Sequence, residues 1–216
     1  MIVVIQCAAG KQRVAGALRT PEGNSVLFVA DPGNAPPQRK VSHARPDDLA
    51  YGNKTWRQHL INYNKQPGNN PLGLLPAFEF YSNDTYRRLV TEFGIEGVYI
   101  LSAGWGLISA SFLTPVYDIT FSGAAERYKR REREKYADFR MLPEDYEGEV
   151  VFLGGKNYIP LFCALTDQSA GRRTIFYNSD TAPNAPGCKL KKYETKIRTN
   201  WHYKCADDLI NKELST

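Results

Sequence analysis

The chain has 216 residues, enough for one medium domain with a single core and too many for a zinc finger or a disulfide knot. Hydrophobic residues make up 42% and charged residues 24%, which excludes a disordered chain, and no window approaches the roughly 18 apolar residues of a membrane span. The net charge of +5 is concentrated in residues 189–204, where six cations face one acid and account for all of it.

Taken in chain order, the first element is an apolar run, Ile2 to Ile5, with no basic leader before it and Gln6 interrupting it. It is expected to be a strand rather than a signal peptide, and the protein is expected to be cytoplasmic with Cys7, Cys163, Cys188 and Cys205 as reduced thiols. Ala17 to Val29 predicts a hairpin turning at Pro-Glu-Gly-Asn. Asp31 to Tyr51 and Asn64 to Pro76, rich in proline and without apolar periodicity, predict two long loops over one end of a sheet. Trp56 to Tyr63 and Asp84 to Phe93 predict helices, the second capped by Asn83 or Asp84 and closed by Gly94. Val98 to Leu101, Val150 to Leu153 and Thr174 to Tyr177 repeat the continuous apolar character of the first run, as strands buried on both faces do in a parallel sheet. Gly123 to Phe139, Tyr158 to Leu165 and Lys204 to Leu214 complete the predicted helices. The expected fold is α/β: a three-layer α/β/α sandwich with a mostly parallel four-stranded central sheet, plus an N-terminal hairpin and long loops, in a single domain over residues 1–216. Open sheets of this kind bind ligands outside the carboxyl ends of their strands, so the four strand ends are expected to converge on one site.

The candidate residues lie at those ends. Cys7 precedes Ala-Ala-Gly and Lys11, a small-residue loop that lets backbone N–H groups approach an anion; Lys11 is a phosphate or substrate contact or a plain surface lysine. Cys7 is a nucleophile only if a histidine or a lowered pKa assists it, and a structural role is favoured. Ser102 to Gly106 predicts a tight turn after a buried strand, in which Trp105 either caps the core or stacks on a flat ligand. Tyr117 and Asp118 bring a ring and a carboxylate together, and Asp118 is either a turn cap or a general base. Asn178 is placed to read a base edge, unless it only makes a turn.

The cationic stripe carries Lys189, Lys191, Lys192, Lys196, Arg198 and Lys204, interleaved with Tyr193, Trp201 and Tyr203, with His202 among them. Cations among stackable rings suit a phosphate backbone with its bases, whereas the alternative is an edge strand guarded by lysines. Among those cations His202 is expected to be neutral. Cys188, His202, Cys205 and Cys163 match no standard zinc spacing, so no metal is expected. Phosphate-loop, dinucleotide, zincin and nucleophile-elbow signatures are absent, and no cofactor is expected.

The segments VVIQCAAGK, YILSAGWGLI, PVYDITFSG and VVFLGGKNYIPLF together resemble the YaaA-like proteins and the central domain of archaeosine synthases. The resemblance covers about half the chain, at residues 2–11 and 98–162. It implies an α/β/α domain related to uracil-DNA glycosylases, with water positioning near Gln6 to Lys11, base reading near Ser102 to Trp105 and a DNA wedge near Asn178 to Pro186. The chain departs from those glycosylases in lacking their Gly-Gln-Asp-Pro first loop and His-Pro-Ser last loop. The expected function is excision of a modified base, in DNA repair or anti-phage defence, with DNA favoured over RNA as partner and no membrane. Trp105 or Tyr117 would stack the base, Asp118 and Asn178 would be catalytic, and Cys7, Lys11 and Ser102 would contact substrate. The alternatives are a non-catalytic DNA-binding stress protein and an enzyme that modifies a tRNA base.

Overall fold

The four apolar runs lie side by side as β1 (Ile2–Gln6), β5 (Val98–Ser102), β9 (Glu149–Leu153) and β10 (Arg172–Tyr177), parallel in the order β10-β9-β1-β5. This is a computed structural model that describes residues 1–66, 68–132 and 136–214. Between and after these strands come β2 (Ser25–Phe28), β3 (Val41–Ala44), α1 (Trp56–Asn64), β4 (Leu75–Pro76), α2 (Ala77–Phe80) and α3 (Thr85–Phe93). Then follow β6 (Gly106–Ser109), β7 (Leu113–Thr114), β8 (Phe139–Arg140), α4 (Ile159–Leu165), β11 (Cys188–Lys192) and α5 (Trp201–Ile210).

The central sheet has seven strands, not four, in the order β11-β10-β9-β1-β5-β6-β8. Every pairing is parallel except β5 with β6. The three extra strands lack an apolar run for simple reasons. β8 is two residues long, β6 begins at a glycine, and β11 is an edge strand whose sequence alternates lysine with a single leucine. An edge strand has one paired side and needs little apolar surface.

The hairpin over Ala17 to Val29 is present but short, with Arg19 paired antiparallel to Ser25 between the bonds from Thr20 N–H to Asn24 O and from Val26 N–H to Leu18 O. Two further expectations are corrected. The strand leaving the hairpin, β2, pairs in parallel with β3, which arises inside the supposed loop of 31–51. Among the described residues, the α-helix expected over Gly123 to Phe139 is absent. Arg127–Lys129 make one 3-10 turn, the chain then pairs with Thr120, and residues 133–135 of the expected helix lie outside the described residues. A highly charged segment offers no apolar stripe to bury, and helix stability comes mainly from such a stripe. α5 also starts three residues earlier than expected, because Trp201, Cys205, Ala206 and Leu209 form its buried face.

The turn after β5 is heavily hydrogen-bonded. Ser102 Oγ accepts from the N–H groups of Gly104 (3.2 Å) and Trp105 (3.1 Å). Arg57 of α1 donates to Trp105 O (2.9 Å) and Gly104 O (3.3 Å), and Arg131 donates to Ala103 O (2.8 Å). Each guanidinium has a carboxylate of its own: Asp47 for Arg57 at 2.6 Å and Asp138 for Arg131 at 2.9 Å. Gly106 follows with φ +88, and a Cβ there would lie 2.6 Å from Asp138 Cβ. Arg131→Met should strand both the buried Asp138 carboxylate and the Ala103 carbonyl. The expected loss is roughly 3 to 5 kcal/mol, read as a lower midpoint in urea at unchanged slope.

Candidate functional site

The loops after β1, β9 and β10 open into one cleft of about 1250 Å³. Ser82 and Asn83, residues 120–123 and residues 195–203 complete its walls. The fourth strand end is not part of it, since residues 102–105 after β5 are sealed in the core. At the floor the Gln6 side-chain carbonyl accepts from Gly155 N–H at 2.7 Å, tying the end of β1 to the loop after β9. Gly154 beside it has no room for a side chain, because a Cβ would lie 2.4 Å from Phe152 Cζ and 3.1 Å from Gln6 Cβ. Both loops are short and glycine-bearing, which lets a ligand approach the backbone closely.

Cys7 lines the cleft floor but is only 5% exposed. Its Sγ accepts from Ala103 N–H (3.3 Å) and lies 3.2 Å from the Tyr158 hydroxyl. Behind it, Tyr81 and Tyr117 share a hydrogen bond of 2.8 Å, Ser102 Oγ donates to Tyr117 at 3.0 Å, and Tyr86 donates to Gln6 O at 2.8 Å. Burial pushes the phenols of Tyr81, Tyr86, Tyr117 and Tyr158 well above their ordinary value, so all four are neutral at physiological pH. Lys11 is not among the cleft-lining residues. Its ammonium sits 4.5 Å over the Tyr117 ring, and burial lowers its pKa against the opposing fields of Cys7 and Asp118.

The structure separates the other sequence-predicted residues. Trp105 is in the core, edge-on to Phe28 at 4.9 Å and stacked with Phe139 at 6.3 Å, so of its two readings the core cap holds and the ligand platform falls. Tyr117 is equally enclosed and cannot stack a base. Ser102 is buried and spends its hydroxyl on the turn, so it is no substrate contact. Asp118 lies outside the cleft, its carboxylate 2.9 Å from Lys129 Nζ, and Lys129 is itself pushed up by that contact and by Glu126. Asn178 does line the cleft, with its amide donating to Ile197 O at 3.3 Å.

The cationic stripe is divided in the same way. Lys189, Lys191 and Lys192 belong to edge strand β11 and do not line the cleft, whereas Lys196 and Arg198 are exposed on its wall. Trp201 and His202 are buried in the first turn of α5, with Trp201 stacked on Tyr193 at 5.8 Å, so Trp201 is unavailable to a nucleic-acid backbone. Cleft residues that the sequence reading passed over are Lys156, Asn157, Tyr158 and Asp180. The first three follow β9 in Gly-Gly-Lys-Asn-Tyr, a strand-end loop of small residues and lysine that matches the one after β1. Among the described residues no three His, Cys, Asp or Glu side chains converge to hold a metal, and no helix is long and apolar enough to cross a membrane. No family model, no curated protein and no solved structure matches the chain.

His202 lines the cleft, is 3% exposed, and its Nε2 has no hydrogen-bond partner. Burial lowers its pKa to about 4 from 6.5. In the folded protein it therefore stays neutral while the unfolded chain takes up a proton between those values, so its contribution is intact above pH 6.5 and is lost as pH falls towards 4. The wild-type chain should lose about 3 kcal/mol more than His202→Gln between pH 7 and 4, measured by urea titration at each pH, because the carboxylates common to both cancel.

Proposed function

We propose that the cleft binds nucleic acid and takes one nucleotide unit into its floor for excision of the base. The observation that carries this reading is the combination of size and charge. About 1250 Å³ exceeds the usual 300 to 1,000 Å³ of a small-molecule pocket, and its wall carries Lys156, Lys196 and Arg198 against Asp180, the one carboxylate among the described lining residues. The β1, β5 and β9 strands are buried along nearly their whole lengths, which supports helices on both sheet faces in a three-layer α/β/α sandwich. In such a fold the strand ends are the ligand-binding edge.

In the proposed reaction, water adds to the sugar C1′ while the bond from C1′ to the base nitrogen breaks. The base leaves with a proton and an abasic sugar remains. Asn178 at the end of β10 is the group that reads the base edge, Asp180 two residues on is the carboxylate that orients the water, and Lys196 and Arg198 hold phosphates. The original candidate for the water, Asp118, is replaced in this role because its carboxylate faces Lys129 outside the cleft.

Purified protein incubated with DNA bearing modified bases should release one base, detected by mass spectrometry together with abasic-site formation. Asp180→Asn should cut release at least about 100-fold while leaving binding intact. The paired change Lys196→Ala and Arg198→Ala should weaken binding about tenfold and flatten the dependence of affinity on salt by roughly two charges. A second reading, a DNA-binding protein without catalysis, is favoured by the ion-paired, displaced Asp118 and by the sheltered Cys7. Salt-dependent binding with no base released from any DNA would establish it instead.

A further inference from the structure

Cys163 on α4 and Cys188 at the start of β11 place their sulfur atoms 3.9 Å apart, both half-buried. Neither lines the cleft. Rotation about the two Cα–Cβ bonds is the motion that would bring sulfurs in such contact to the bonding distance of about 2.05 Å. The surroundings also divide the labour between the two thiols. Arg173, opposite Cys188 in the β10–β11 register, donates to Gly187 O at 3.3 Å and to Thr166 Oγ1 at 3.4 Å, so a fixed positive charge stands beside the pair. The two sulfurs share a hydrogen bond; that contact and the Arg173 charge bring Cys188 down to about 7, while the same contact and burial push Cys163 up. Cys188, whose Sγ also donates to Pro186 O at 3.8 Å, is thus the more acidic thiol of the pair and the first to supply a thiolate. The remaining cysteines contrast with them: Cys7 and Cys205 are buried, and burial pushes the Cys205 thiol up.

We infer that Cys188 and Cys163 form a redox modification site, at which a hydroperoxide oxidises the dithiol to a disulfide that ties α4 to edge strand β11. The Cys188 thiolate attacks the terminal peroxide oxygen, the O–O bond breaks, and Cys188 becomes a sulfenic acid while the departing alkoxide, or hydroxide from hydrogen peroxide, takes a proton from solvent to leave as alcohol or water. Cys163 sulfur then attacks Cys188 sulfur; the S–S bond forms, the S–O bond breaks, and the hydroxide leaves with the Cys163 proton as water. Two electrons pass from the dithiol to the peroxide, and a thiol reductant reverses the change. β11 runs directly into the segment carrying Lys196 and Arg198, so the bridge anchors the strand from which that cleft wall extends.

The test treats the folded full-length chain with a small excess of hydrogen peroxide and follows intact mass and non-reducing peptide maps. The expected result is loss of two hydrogens, a single 163–188 linked peptide, and complete reversal by dithiothreitol. Cys163→Ser should instead accumulate a Cys188 sulfenic acid that dimedone traps, and Cys188→Ser should leave Cys163 unmodified at the same dose. Circular dichroism establishes that each variant is folded, and the wild-type map alone suffices if one is not. Absence of the 163–188 peptide from oxidised, folded wild-type protein, or equal trapping at Cys163 and Cys188 in the two variants, would overturn the inference. None of these readouts involves nucleic acid, so they stand or fall independently of the cleft's ligand.

Discussion

Two buried guanidinium groups hold the turn at the carboxyl end of β5, and much of the molecule is organised around them. A turn that follows a strand buried on both faces leaves carbonyl oxygens pointing into apolar surroundings, where an unpaired one costs about twice what a made hydrogen bond contributes. Arg57 and Arg131 answer the carbonyls of Ala103, Gly104 and Trp105, and Ser102 answers the N–H groups. Each guanidinium in turn requires a carboxylate, and Asp47 and Asp138 supply it from separate segments. One turn thereby fixes the approach of α1, of the chain around residue 131 and of β8. Trp105, held at its centre, carries the aromatic contacts to Phe28 and Phe139 that join these pieces.

That closure decides where the cleft lies. With the end of β5 filled, the cleft opens at the ends of β1, β9 and β10, and the small residues after β1 and β9 keep the floor low. The phenols behind the floor are neutral because burial opposes their ionisation, and His202 is neutral for the same reason. The cleft's charge is therefore set by exposed side chains on its walls. Exposed cations are screened over about 8 Å at physiological ionic strength, so they favour a polyanion that meets several at once over a ligand that meets one.

The basic stripe shows how one run of sequence serves two structural purposes. Lys189, Lys191 and Lys192 lie on the outermost strand, where lysines discourage pairing with another sheet. A few residues later the chain turns past the cleft, and Lys196 and Arg198 face it. The aromatic residues that made the stripe resemble a stacking surface go inward, Tyr193 and Trp201 against each other and Tyr193 onto Asp208. A ring in a mixed aromatic and cationic run has as much to gain from the core as from a ligand, and composition does not distinguish the two.

The sequence by itself determined the parallel centre of the sheet, because four continuous apolar runs bounded by small residues have no other economical way to bury both faces. It also led to the carboxyl ends of these strands, three of which, those of β1, β9 and β10, open into the cleft, and α1, α3 and α4 were legible to within two residues. Only the tertiary structure decided the rest. β2 with β3, β6 and β8 are short pairings whose partners come from distant segments, so no local pattern announces them. The charged residues 123–132 form a turn and a single 3-10 turn rather than an α-helix, and Arg131 is drawn into the core by the Ala103 carbonyl and Asp138, a demand created elsewhere in the chain. Asp118 and Tyr117 left the site for the same kind of reason: adjacent in sequence, one meets Lys129 at the surface and the other meets Tyr81 and Ser102 inside. Residue type sets what a side chain can do, whereas its burial and its partners, which depend on the whole packed chain, set what it does.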